Sequence, residues 1–333
     1  LAQTFEGLYP TIDLVLTLAD PQTFPSDLRA TILSGGGADV FIAEPSVLGS
    51  LAQEGLLTPL DATRLAGAAD SLPNSAYEVG TWNRRLFGYP FLLHAPVLYV
   101  NTALVSEPPT TFDEFIAAAR THGALITPTF NVTGAWLSTE GRVITPGNRD
   151  DLGATPSAFQ SYLERMATLK TTANITFSAD DRAFRAGEVG LYVGDSRQWG
   201  TLSAALGESL AVRPLFISVR EAGYYLMQAQ MLMVSLNATS ADLAAATEWM
   251  IFITRPQAQT TLSRLSGYPP LLPDFTEVQS GKEAASAIRM AYPLPSESLF
   301  YTQTLPRFEA ALQAVLNDEL APSEALNLAF PQP

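Results

Sequence analysis

The stretch Gly88-Tyr89-Pro90-Phe91-Leu92-Leu93-His94-Ala95-Pro96-Val97-Leu98-Tyr99-Val100-Asn101 decides how this chain is organised. Apolar from Phe91 to Val100 with one histidine inside it, the run reads as buried strand. A second run of this kind, Tyr224 to Leu236, is interrupted by Gln228 and Gln230. Neither approaches the roughly 20 consecutive apolar residues that cross a bilayer. Two strand-like crossovers, without a linker or a fixed-period repeat, predict a chain that leaves one lobe, builds another and returns. The length of 333 residues agrees, being too long for one simple core and suited to two.

Outward from that stretch the rhythm is alternating helix and strand. Leu1, Phe5 and Leu8 fall on one helical face, and Ile12 to Thr17 alternates as a strand does. A helix near Ser26 to Leu33 ends at Gly35-Gly36-Gly37, and Ala38 to Ala43 follows as a short buried strand. Glu44-Pro45-Ser46 comes next, either a ligand loop beyond a strand end or a turn in which Pro45 starts a helix. Trp82-Asn83-Arg84-Arg85 marks a hairpin, so Trp82 reads as a surface partner. Thr111-Phe112-Asp113-Glu114 is a capping box, and the same device is expected at Ser178 to Asp181 and at Thr239 to Asp242. The last opens a helix whose Leu243, Ala246, Met250 and Ile253 face inward, with Trp249 beside them as core.

Composition narrows the function. The formal net charge of −14 repels phosphate backbones and anionic membranes, which argues against a nucleic-acid partner. With no cysteine there is neither a disulfide nor a thiolate site, and two histidines leave little for a metal centre, so no cofactor is expected. A phosphate-binding glycine loop, a G-x-S-x-G elbow and an HExxH helix are all missing, so an enzyme is not expected.

Several stretches, in the right order along nearly the whole chain, resemble the type 1 extracellular solute-binding proteins of ABC transporters, the maltose-binding-protein-like family. They are Tyr9-Pro10-Thr11-Ile12, Ala38-Asp39-Val40, Gly55-Leu56-Leu57-Thr58-Pro59-Leu60, Gly88-Tyr89-Pro90 with Leu98-Tyr99-Val100-Asn101, Pro108 to Phe115, Phe184 to Leu191, and Gly267-Tyr268-Pro269-Pro270. The resemblance implies an α/β, two-lobed periplasmic-binding-protein-like fold of type II. Lobe 1 is expected from 1–92 plus 226–278 and lobe 2 from 97–222 plus 279–333, with hinges near 93–96, 223–226 and 275–282. It also implies a first strand ahead of Leu1, absent from this sequence, and a monomer working with an ABC transporter permease outside the cytoplasm. That place is the periplasm or the outer face of the membrane, where a lipid anchor is compatible.

Carried over position by position, the resemblance puts the ligand-binding residues at Glu44, His94, Asn131, Trp136, Asp195, Arg197, Trp199, Tyr224, Tyr225, Tyr268, Tyr301 and Gln303. Rings that stack on C–H faces, among paired donors and acceptors, suit a mono- or oligosaccharide. Glu44-Pro45-Ser46 lacks the Asp-Arg pair that helps hold maltodextrins, so maltose specificity is not implied. The adjacent Tyr224 and Tyr225 resemble the twin tyrosines of ferric-ion-binding members of the wider fold, which is the alternative binding function. A glycosidase with two carboxylates is the alternative from a different class, and no such pair stands out.

Overall fold

The computed structural model describes residues 1–20, 23–68, 72–140, 154–215, 226–296 and 298–331. Among them the strands are, in chain order, β1 (Val40–Ala43), β2 (Leu57–Thr58), β3 (Thr81–Trp82), β4 (Arg85–Leu86), β5 (Gly88–His94) and β6 (Pro96–Asn101). There follow β7 (Ala124–Ile126), β8 (Ile175–Phe177), β9 (Leu191–Asp195), β10 (Leu210–Pro214), β11 (Leu226–Ser235) and β12 (Tyr292–Pro293). Every residue of β5 and β6 is buried, as an apolar run without alternation requires.

Two five-stranded sheets share the chain between them. In the first, β11 is the axis: β5 lies antiparallel along Gln228–Met233, β1 along Met231–Val234 and β2 at Val234–Ser235, while β12 joins parallel at Leu226–Met227. The second runs β10-β6-β9-β7-β8, antiparallel from β10 to β9 and parallel from β9 to β8. Only Ala95 separates β5 in one sheet from β6 in the other. Its amide donates to Ser196 Oγ at 3.0 Å and its carbonyl accepts from Ser196 N at 2.9 Å, so this crossing is stapled to the second sheet.

Three local expectations need correction. Ile12–Thr17 forms no strand; a ladder needs a neighbour to bond, and none of the described residues pairs with it. Val15 and Leu16 of that segment, and Leu18 just after it, consequently stand exposed. At Ser178 the expected capping box is instead a tight turn, in which Ser178 Oγ accepts from Asp180 N at 2.9 Å before the helix Arg182–Arg185. Lastly, β12 falls within 279–333 yet pairs with β11 in the first sheet. The helix Gln279–Arg289 before it packs on β10 and the helix Leu305–Leu316 after it packs on Pro156–Thr171, so the chain recrosses near its end.

Elsewhere local chemistry acts as expected. Pro45 opens the helix Pro45–Gln53, with Glu44 at its cap position. Asn83 and Arg84 turn the β3–β4 hairpin with φ of 46° and 61°. Trp249 stacks on Phe252 and meets Phe5 edge-on, in the small core under the first helix. Thr111 and Glu114 make a reciprocal capping box, as do Thr239 and Asp242. Replacing either threonine by alanine frees a first-turn amide, so Thr111→Ala and Thr239→Ala should each lower stability in urea by about 1 kcal/mol, without altering the circular dichroism of the folded state.

Candidate ligand-binding site

Strand register gathers the site where the sheets meet. His94, the last residue of β5, lies opposite Gln228 of β11, and Asp195, the last residue of β9, lies opposite Pro96 of β6. His94 is fully buried, and its Nδ1 is 2.9 Å from Asp195 Oδ2. The other carboxylate oxygen of Asp195 accepts from the Arg197 amide at 2.8 Å and faces Arg197 Nε at 3.2 Å. Asp195 also caps the turn Ser196–Gln198, which is what points Arg197 back along the strand end.

The first lobe supplies the facing groups. Glu44 follows β1, and its Oε1 accepts from Gln230 Nε2 of β11 at 3.1 Å. Tyr268 follows the helix Pro256–Ser266 and is held there by Ser263 Oγ, which donates to its carbonyl at 2.7 Å. Its ring meets His94 edge-on, with centroids 5.6 Å apart and planes at 86°. The Tyr268 hydroxyl interacts with both Arg197 and Gln230. Tyr301 is half-buried, but its hydroxyl is sealed from solvent and lies within the field of Glu44.

These groups set one another's charge. Burial pushes the Asp195 carboxyl upward, yet His94 and Arg197 outweigh it and hold the group below its ordinary range. For Arg197 burial acts downward, and Asp195, Tyr268 and Glu44 together keep it above its ordinary value. Burial raises the phenol of Tyr268 against the pull of Arg197, and it raises Tyr301 further with help from Glu44. At neutral pH the site therefore presents the Asp195 carboxylate, a guanidinium and intact phenol hydroxyls.

Of the expected residues, Glu44, His94, Asp195, Arg197, Tyr268 and Tyr301 are linked in this way. Asn131 stands apart, in the short helix Phe130–Thr133 beyond β7, where its Oδ1 is buried without a hydrogen-bond partner. Trp136 is fully buried against Phe112 and Phe115, inside the second lobe. Trp199 is 7% exposed; its indole donates to Ser280 Oγ at 3.1 Å and its ring lies against Gly281, so it joins two helices of that lobe. Gln303 is exposed on the turn Phe300–Thr304. Tyr224 and Tyr225 lie outside the described residues. One participant was missed: Gln230, whose signal was present as a polar interruption of the apolar Tyr224–Leu236 run.

A sequence model for the family described as bacterial extracellular solute-binding protein matches residues 1–289. A maltotriose-binding protein of Pyrococcus abyssi is 28% identical over 114 residues, which is 34% of this chain and 25% of that protein. Solved structures agree in fold. A cyclo/maltodextrin-binding protein with maltotetraose has a TM-score of 0.81 at 19% identity, with 98% of this chain and 91% of that one covered. A Staphylococcus aureus extracellular solute-binding protein with maltose gives 0.81 at 16% identity over 98% and 91%. An ABC transporter solute-binding protein of Thermotoga lettingae with α-D-tagatose gives 0.75 at 18% identity over 98% and 92%. The two-lobed fold of the maltodextrin-binding proteins is thus the fold of this chain.

Because the Asp195 carboxyl is depressed in the folded protein, its ionised form stabilises the fold above about pH 4, and that contribution fades as pH falls through the folded value. Asp195→Asn should therefore lower the melting midpoint at pH 7, and the gap to the wild type should close below about pH 4. A gap that stays constant from pH 7 to pH 3 would mean that the charge is not what stabilises this site.

Proposed function

Because this chain belongs to the bacterial extracellular solute-binding proteins, we propose that it is the solute receptor of an ABC importer and that it holds a saccharide between its lobes. The observation that carries this reading is a set of buried polar atoms that the protein itself leaves unmatched. Within the linked cluster these are His94 Nε2 and the Tyr301 hydroxyl. A buried polar atom without a partner costs about 1–3 kcal/mol, so such groups persist where something else completes them. With a proton held on Nδ1 by Asp195, the His94 ring has Nε2 left to meet a ligand. Neutral donors and acceptors beside Glu44 and Arg197 match the hydroxyl groups of a sugar.

The similar structures support a carbohydrate and leave its size open, since the sugars named with them run from tagatose through maltose to maltotetraose. The solute meets one lobe first, and rotation about the Ala95 crossing then brings the other lobe onto it. A permease reads the closed form, which places this receptor, as a monomer, outside the cytoplasm; an N-terminal lipid anchor would keep it there. Binding without turnover is the role, as in the matched family of binding proteins. The ferric reading finds no support: its tyrosines lie outside the described residues, and among those described no group of three or more His, Cys, Asp or Glu side chains is placed to hold a metal.

Calorimetric titration with tagatose, maltose and maltotriose tests the proposal. At least one should bind near micromolar, about −8 kcal/mol, a range that permits release. Tyr301→Phe should weaken that binding and leave the unliganded melting midpoint unchanged or higher, because it removes a buried hydroxyl that finds no partner within the protein. No heat with any saccharide, or a lower unliganded midpoint for Tyr301→Phe, counts against the reading.

A further inference from the structure

The helix Trp199–Leu206 belongs to the second lobe: it follows β9 and packs on β10 and on the helix Gln279–Arg289. The helix Pro256–Ser266 belongs to the first. There Gln259 Nε2 donates to Phe91 O of β5 and to Ile253 O, both at 2.9 Å, and Ala258 packs with Phe5 and Phe252. The two lobes touch at a pair of glycines. Gly200 N donates to Gly267 O at 2.9 Å. A Cβ on Gly200 would fall 2.5 Å from Gly267 Cα and 3.1 Å from its oxygen, so backbone lies directly on backbone. Gly267 has a φ of +77°, and this left-handed cap is what turns Tyr268 out of the helix.

The neighbours of this contact are site residues. Arg197 is three residues before Gly200, and Tyr268 is the residue after Gly267. Beside this contact Tyr268 lies edge-on to His94 and next to Arg197. We infer that Gly200 and Gly267 form an interlobe clasp, made when the lobes close and broken when they open, which couples closure to the placement of Tyr268 and Arg197 around the solute. This rests on the receptor reading above. Both glycines are positioning residues, since neither has a side chain with which to touch a ligand. Apparent affinity scales with the fraction of molecules able to reach the binding-competent form, so blocking the clasp weakens every ligand by one common factor.

The test is Gly200→Ala, with Gly7→Ala as control, because a Cβ at Gly7 meets nothing within 4 Å. Gly200 is in the first turn of its helix without a positive φ, so alanine suits the local backbone and the melting midpoint of the unliganded variant should equal or exceed that of the wild type. Maltose and maltotriose should each bind Gly200→Ala about tenfold or more weakly, by the same factor, and saturating ligand should produce less compaction in small-angle scattering than in the wild type. Equal affinities with equal compaction overturn the clasp, as does a factor that differs between the two sugars or a fallen midpoint. If the wild type binds neither sugar, the saccharide reading fails separately. The fraction of closed molecules in the unliganded proteins, read from interlobe distance distributions between spin labels, then decides the clasp: a closed fraction present in the wild type and lost in Gly200→Ala supports it, and the same closed fraction in both overturns it.

Discussion

The pairing of His94 with Asp195 is the constraint around which the rest of this molecule is arranged. A fully buried imidazole and a carboxylate with a 13% exposed side chain lie 2.9 Å apart, at the ends of strands from different sheets. The carboxylate does not tolerate burial without a partner, and the imidazole needs one for its buried Nδ1. Their mutual need holds the end of β5 against the end of β9. The residues that flank them, Ala95 on one side and Ser196 on the other, add two hydrogen bonds to the same junction. What reaches this junction from each lobe becomes a site by being there.

The aromatic residues divide into two populations for a physical reason. Trp136, Trp199 and Trp249 are consumed by packing: one ring lies among phenylalanines, one joins two helices, and one stacks under the first helix. Tyr268 and Tyr301 differ because each carries a hydroxyl that packing cannot satisfy, so each comes to rest where polar groups are near. The junction that results is polar and hydrogen-bonding, with tyrosine in place of tryptophan at its edges.

The frequent crossings between sheets near the C-terminal end tie the lobes together by more than the Ala95 strand. A chain that pairs β12 with β11 and then returns to the second lobe adds a connection close to the start of β11. Connections clustered at one place restrict the lobes to rotation about it, which is the motion that opens and closes a cleft. The glycine contact between Gly200 and Gly267 lies beside the same cluster of side chains, so rotation and side-chain placement are geometrically one event.

How much of this was legible depended on the range of the interaction. Alternating helix and strand, the crossover at Phe91–Val100, the Asn83-Arg84 turn and the capping boxes at Thr111 and Thr239 were determined by the sequence itself, since each follows from hydrophobic run length or a bond across three or four residues. Ile12–Thr17 shows the limit: alternation marks a segment able to be a strand, but a ladder needs a neighbour. At the site, family resemblance supplied positions and could not supply orientation. Which way the Trp199 ring turns, whether Gln230 meets Glu44, and which oxygen of Asp195 faces His94 are settled by contacts between residues up to 186 apart in the chain. Local rules carry no information over that distance; only the packed sheets, which bring β1, β5, β9 and β11 to one junction, decide it.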